Sequence, residues 1–107
     1  MGTLIADDRV PFAQACEAIR TARCLELTYA GHRRVVEVHV AGTTHDGEAL
    51  MRAWQVSGGS SSGQPVGWKM FRLARVESAR LSTEPSQAPR TGYRRDDPAI
   101  AHVVCQV

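Results

Sequence analysis

The chain has 107 residues, 43% of them hydrophobic and 22% charged, with a formal net charge of +2. That length fits one domain, and the composition suits a globular fold while excluding a disordered or fibrous chain. No apolar run approaches the ~18 residues of a membrane helix, and the opening MGTLIADDRVPF lacks a basic start with an apolar signal core; the cytoplasm is the expected compartment.

Asp7-Asp8 followed by Pro11 reads as a helix start, because Asp caps orphan backbone donors and Pro tolerates the first turn. Phe12, Ala15, Cys16, Ile19 and Ala22 then recur at helical spacing, which predicts an amphipathic helix over residues 9–23. From Leu25 the period becomes two. Leu25, Leu27 and Tyr29 form one face of a first strand, and AGHR makes a turn into RRVVEVHV. In that second strand Val36, Val38 and Val40 share a face, with Arg33, Val35, Glu37 and His39 on the other. GTTHDG ends it, EALMRAWQV supplies a third strand, and the Gly/Ser-rich loop 57–67 leads to WKMFRLARVESARL, long enough for a fourth strand and a bent fifth.

One helix before five antiparallel strands predicts an α+β, mainly β domain: a helix (9–23) on a small barrel (25–82), with a C-terminal extension (83–107). Thr83–Gly92 reads as a surface run, and residues 98–106 fit a short helix or a terminal strand about equally. Cys16, Cys24 and Cys105 are odd in number and widely spaced, so reduced, mostly buried thiols are expected. His32, His39, His45 and His102 never fall at metal-ligand spacings, and no metal or cofactor is expected. Twelve Arg stand against a single Lys. Arg presents a planar fork that matches phosphate and carboxylate, although arginine-favouring codon usage produces the same skew.

AIRTARCLELTYAGHRRVVEVHV (18–40), LMRAW (50–54) and KMFRLARVESARL (69–81) together resemble the WYL domain, a small Sm-like, SH3-like barrel found mostly in bacterial regulators. The Phe-Arg-Leu-x-Arg-Val run at 71–76 is the most specific match. The namesake triplet is replaced by Ala49-Leu50-Met51, the second-strand proline by Val38, and the usual N-terminal helix-turn-helix is not seen. The resemblance implies a ligand-sensing regulatory module for a nucleotide or short single-stranded nucleic acid. By position it implicates Tyr29, Arg33 or Arg34, Glu37, His39, Arg72 and Arg75 as ligand-binding residues.

Other readings stand beside this one. Arg72 and Arg75 also suit solvated strand positions or pairs with Glu37 and Glu77, and period two sends Arg33 and Arg34 to opposite faces, so at most one serves a shared site. Trp54 and Trp68 suit core packing as well as base stacking. A second function class is a protein-interaction module that self-associates or binds a regulatory partner through strand edges, with no membrane role. An enzyme using Cys24 or His39 ranks last, because no nucleophile elbow, phosphate loop or carboxylate pair is present.

Overall fold

The computed structural model describes residues 9–107. Helix α1 (Arg9–Thr21) ends two residues earlier than its periodicity predicts, because Ala22 turns into the left-handed region at φ 54° while its N–H bonds the Ile19 carbonyl. The Asp7-Asp8 cap lies outside the described residues. The chain then runs through β1 (Arg23–Tyr29), β2 (His32–Thr43), β3 (Ala49–Gly58), β4 (Gly67–Arg72), a single 3-10 turn (Leu73–Arg75), β5 (Val76–Pro85) and β6 (His102–Gln106).

These strands form one antiparallel sheet in the order β4-β3-β2-β1-β5. Strand β2 is long enough to be shared. Its first half, His32–Val36, pairs with β1, and its second half, Val40–Thr43, pairs with β6, while β3 covers the other edge throughout. The register with β3 slips between Val38 and Val40, marking the break between the halves. Gly42 sits where the approach is closest. A Cβ there would stand 2.2 Å from the His102 carbonyl oxygen, so only glycine admits β6 at this distance.

Leu25 and Leu27 of β1, Val36 and Val38 of β2, Ala49, Met51 and Ala53 of β3, and Phe71 and Leu73 form the core. Helix α1 covers it through Ala15 and Ala18, small residues that let the helix backbone lie close to the sheet. Fully burying a side chain of the size of Phe71 stabilises the fold by about 2–3 kcal/mol, and Phe71 is 1% exposed. The helix, the first five strands and the mainly β class agree with the expectation from periodicity. Closure into a five-stranded barrel does not appear. Strands β4 and β5 stand at opposite ends of the sheet order, no ladder joins them among the described residues, and a sixth strand comes from the C-terminal extension. Residues 102–106 thus take the strand alternative, with β-branched Val103 and Val104.

The expectation of reduced thiols is overturned for two of three cysteines. Cys16 on α1 and Cys105 on β6 form a disulfide across 89 residues, so the cysteine pattern no longer argues for a reducing compartment. Sequence spacing could not bring them together, because only the return of β6 beside β2 places Cys105 under the helix. Cys24 is the free thiol, and it is buried. Among the described residues no helix is long and apolar enough to cross a membrane.

Candidate functional site

The hairpin turn decides which of the paired arginines faces inward. Ala30 and Gly31 both have positive φ, 52° and 76°, which gives the tight two-residue turn whose twist matches the strands it joins. That turn sets Leu27 opposite Arg34 and Thr28 opposite Arg33. Leu27 is a core residue, so Arg34 enters the interior and is 6% exposed, while Arg33 is exposed.

The Arg34 guanidinium is held by neutral partners. Nη1 donates to Gln55 Oε1 at 3.3 Å, and Nη2 donates to the Tyr29 carbonyl oxygen at 3.1 Å. Its Cζ lies 5.4 Å from the Tyr29 ring centroid and 5.5 Å from that of Phe71, within cation–π range of both. Its Nε is buried with no partner among the described residues, and no carboxylate there forms a salt bridge with it. Burial pulls the Arg34 pKa below its ordinary range, because desolvation penalises the charged form.

Tyr29 joins this arginine to the strand that carries Arg72. Its ring meets Phe71 edge-on at 4.9 Å, and its hydroxyl oxygen accepts the Arg72 backbone N–H at 3.2 Å. The Arg72 side chain is half exposed and pairs with Glu48 at 3.3 Å, a contact of the weak surface kind. Arg75 is exposed on the 3-10 turn that follows and makes no ion pair among the described residues. Tyr29, Arg34 and Arg72 are therefore linked by contact, with Arg75 three residues further along the chain. Arg33 is exposed on the opposite face of β2 and makes no side-chain hydrogen bond with Tyr29 or Arg72 among the described residues; it lines, together with Arg34, Glu26, Thr28, Ser78 and Arg80, an open cavity of about 400 Å³.

Glu37 and His39 are in a different place, and their surroundings correct the sequence reading. They point away from Val36 and Val38, as alternation requires, yet both are buried, at 1% and 0% exposure. The cover is the extension: residues 83–92, expected to run over the surface, pack onto this face of β2. Glu37 accepts Arg90 Nε at 2.6 Å, Arg90 Nη2 at 3.1 Å and the Gln87 N–H at 2.8 Å. His39 Nε2 accepts the Arg90 N–H at 2.9 Å, and its Nδ1 donates to the Glu37 carbonyl oxygen at 2.9 Å. Arg90 Cζ lies 5.4 Å from the Trp54 ring centroid, and the His39 ring meets Trp68 at 4.6 Å and Tyr93 at 5.1 Å. Burial lowers the His39 pKa, and the Glu37 contact raises that of Arg90. In this conformation the acidic and imidazole groups grip the chain's own arginine.

Arg90 is the member of this cluster that the sequence reading does not single out. The available signal was a single arginine in a Pro/Ser/Gln-rich run, together with two polar residues on the face of β2 opposite its valines. Cys24 offers no reactive thiol in this conformation: it is fully buried, its Sγ donates to the Pro85 carbonyl oxygen at 3.5 Å, and burial raises its pKa to about 11.

No family model matches the sequence, and no curated protein does. Among solved structures, the chain is similar to Proteasome accessory factor B/C (PafBC) of Arthrobacter aurescens, with a TM-score of 0.66 and 23% identity. The match covers 92% of this chain and 15% of that one, so the domain spans a small part of the matched protein. At this identity the likeness extends to the fold, and it supports a WYL-like arrangement of helix and sheet for this chain.

Proposed function

We propose that the chain is a regulatory module that senses an anionic ligand, a nucleotide or a short single-stranded nucleic acid, through Arg34, Arg72 and Arg75 beside Tyr29. The observation that carries this reading is the buried Arg34 guanidinium without a carboxylate partner among the described residues. A buried cation is costly unless a charge of opposite sign meets it, and among the described residues Arg34 meets two ring faces and two neutral oxygens instead. A phosphate that exchanges with the Gln55 amide supplies the missing charge, while the exposed Arg72 and Arg75 neutralise the adjoining backbone. Tyr29 then packs against the ligand's flat groups. Glu37 and His39 take no part in this contact, and Arg33 acts only as outer-face charge. The module binds and carries out no reaction of its own, and the likeness to a segment of PafBC fits a regulatory setting.

Anisotropy titrations of labelled mixed-sequence single-stranded DNA and RNA at two salt concentrations test this, with adenine nucleotides as competitors. The expected result is binding that weakens with salt as counterions are released, is lost in Arg34→Gln, and is weakened in Arg72→Gln with Arg75→Gln. A folded wild-type protein with no binding, or with a salt slope near zero, sinks it.

A second reading has its own observation. Among the described residues strand β6 pairs only with β2 and leaves Val103 and Val104 45% and 54% exposed, which suits a protein-interaction module working through a sheet edge. A defined oligomer in light scattering, lost in Val104→Lys and unchanged in Arg34→Gln, favours it.

A further inference from the structure

A cavity of about 410 Å³ lies between the sheet and the C-terminal extension, lined by Arg52, Trp68, Gly92, Tyr93, Asp97 and Pro98 among others. It shares no residue with the Arg34 cluster, and its volume falls in the range of small-molecule sites. We infer that it is a binding site for a planar aromatic ring carrying one anionic group.

The aromatic part follows from the walls. Trp68 on β4 and Tyr93 on the extension present near-parallel rings, 27° apart with centroids at 6.4 Å. That spacing is already in contact range, so a ligand ring lies against the pair and does not slide between them. Trp54 meets Trp68 edge-on at 5.4 Å and 89°, and His39 backs Trp68 at 4.6 Å, so the Trp68 ring is held from two sides. Gly92 keeps the indole edge open. Its φ is +93°, and a Cβ there would come 3.2 Å from Trp68 Nε1. The indole N–H has no acceptor among the described residues and is available to a ligand oxygen.

The anionic part follows from Arg52. Asp97, whose side chain is 10% exposed, holds Arg52 Nε at 2.9 Å, while its other oxygen accepts the Ala99 N–H at 3.0 Å. Both carboxylate oxygens are thus engaged, and the guanidinium is fixed by one edge. Its two terminal nitrogens make no hydrogen bond among the described residues. An arginine oriented in this way offers the planar two-donor edge that carboxylate and phosphate groups match. Arg94, exposed and only loosely paired with Asp96 at 3.6 Å, adds a second positive charge at the cavity.

Calorimetric titration of the full chain with 1-naphthoate, 1-naphthyl phosphate and the neutral 1-naphthalenemethanol tests the inference and separates the two anion types. At least one anion is expected to bind saturably and about tenfold or more tighter than the alcohol, a difference that one charge-assisted contact supplies. Arg52→Gln should weaken the anion about tenfold and leave the alcohol unchanged, while Arg34→Gln should leave both unchanged, so that this site and the nucleic-acid site fail separately. In the wild-type protein the indole N–H resonance of Trp68, assigned with Trp54→Phe, should shift on adding the anion; this readout needs no folded Arg52 variant. No saturable binding of either anion, or an Arg52→Gln protein that binds the anion as tightly as wild type, overturns the inference, and so does an unmoved Trp68 signal.

Discussion

His39 is held as one neutral tautomer by its neighbours. Its Nδ1 proton points at the Glu37 carbonyl oxygen, so Nε2 carries the lone pair that accepts the Arg90 N–H. Protonating Nε2 removes that acceptor and sets N–H against N–H. Burial and the lost acceptor both oppose the charged form in the folded state, consistent with the lowered pKa, although the nearby Glu37 carboxylate works against them. The sign follows from proton binding. Below about pH 6.5 the unfolded chain takes up a proton that the folded chain refuses, so stability is full above that pH and declines as pH falls toward the folded pKa. The expected slope is at most about 1.4 kcal/mol per pH unit for this single proton. Urea unfolding at pH 7.5, 6.5, 5.5 and 5.0 measures it, and His39→Gln should flatten the curve in that window. An unchanged slope in the variant would place the titration elsewhere. Asp97 also has a lowered pKa, because the Arg52 and Ala99 hydrogen bonds outweigh the burial of its side chain, and it acts near pH 4 and below.

The segment carrying Gln87 and Arg90 is a latch, an element with no regular structure that is ordered by what it grips. Glu37 supplies both oxygens to it, His39 its ring nitrogen, and Trp54 a ring face. Removing the arginine alone strands a buried carboxylate, whereas removing both charges leaves nothing unpaired. Arg90→Met should therefore lower the urea midpoint more than the double variant Glu37→Met with Arg90→Met, and hydrogen exchange should speed up at residues 87–93 in the single variant first. Equal midpoints for both variants would mean that the pair contributes no coupling. The same element shows where sequence reading stops. The helix stripe from Phe12 to Ile19 and the alternation of Leu25, Leu27 and Tyr29 are local patterns, fixed by neighbours three or two residues away, and the helix and strands follow them. The inward turn of one arginine was also legible, since period two allows only one. The latch was not: Arg90 meets Glu37 across 53 residues and His39 across 51, and nothing in the composition of 83–92 distinguishes a gripped segment from a solvated one.

At the scale of the whole molecule, α1 and β6 lie near opposite ends of the described chain and are tied by the Cys16–Cys105 disulfide. The link closes almost the entire domain into one loop. Cross-linking a loop of this length lowers the entropy of the unfolded chain by an amount worth up to about 4 kcal/mol, a large share of the ~5–15 kcal/mol that a domain of this size holds in total. Strand β6 depends on it more than the rest. Its other attachments include a short ladder on β2, the approach over Gly42, the Tyr93 hydroxyl that donates to Gln106 Oε1 at 3.0 Å, and the latch further up the extension, whereas β1 to β5 pair through longer registers around the core. Reduction should therefore act in two ways. Urea titration with and without dithiothreitol should show a clear loss of stability in the wild type and in Cys24→Ser, and none in Cys105→Ser, whose stability should already equal that of the reduced wild type. Hydrogen exchange of the reduced protein should rise first at residues 102–106 and then along Val40–Thr43, leaving Leu25 and Met51 protected until global unfolding. Because the extension also carries Tyr93 and Asp97, reduced protein should lose affinity at the Arg52 cavity before it loses the Arg34 cluster. Coincident urea curves with and without reductant would show that the crosslink adds no stability, and the ordering of β6 would then rest on its ladder, the Tyr93–Gln106 hydrogen bond and the latch.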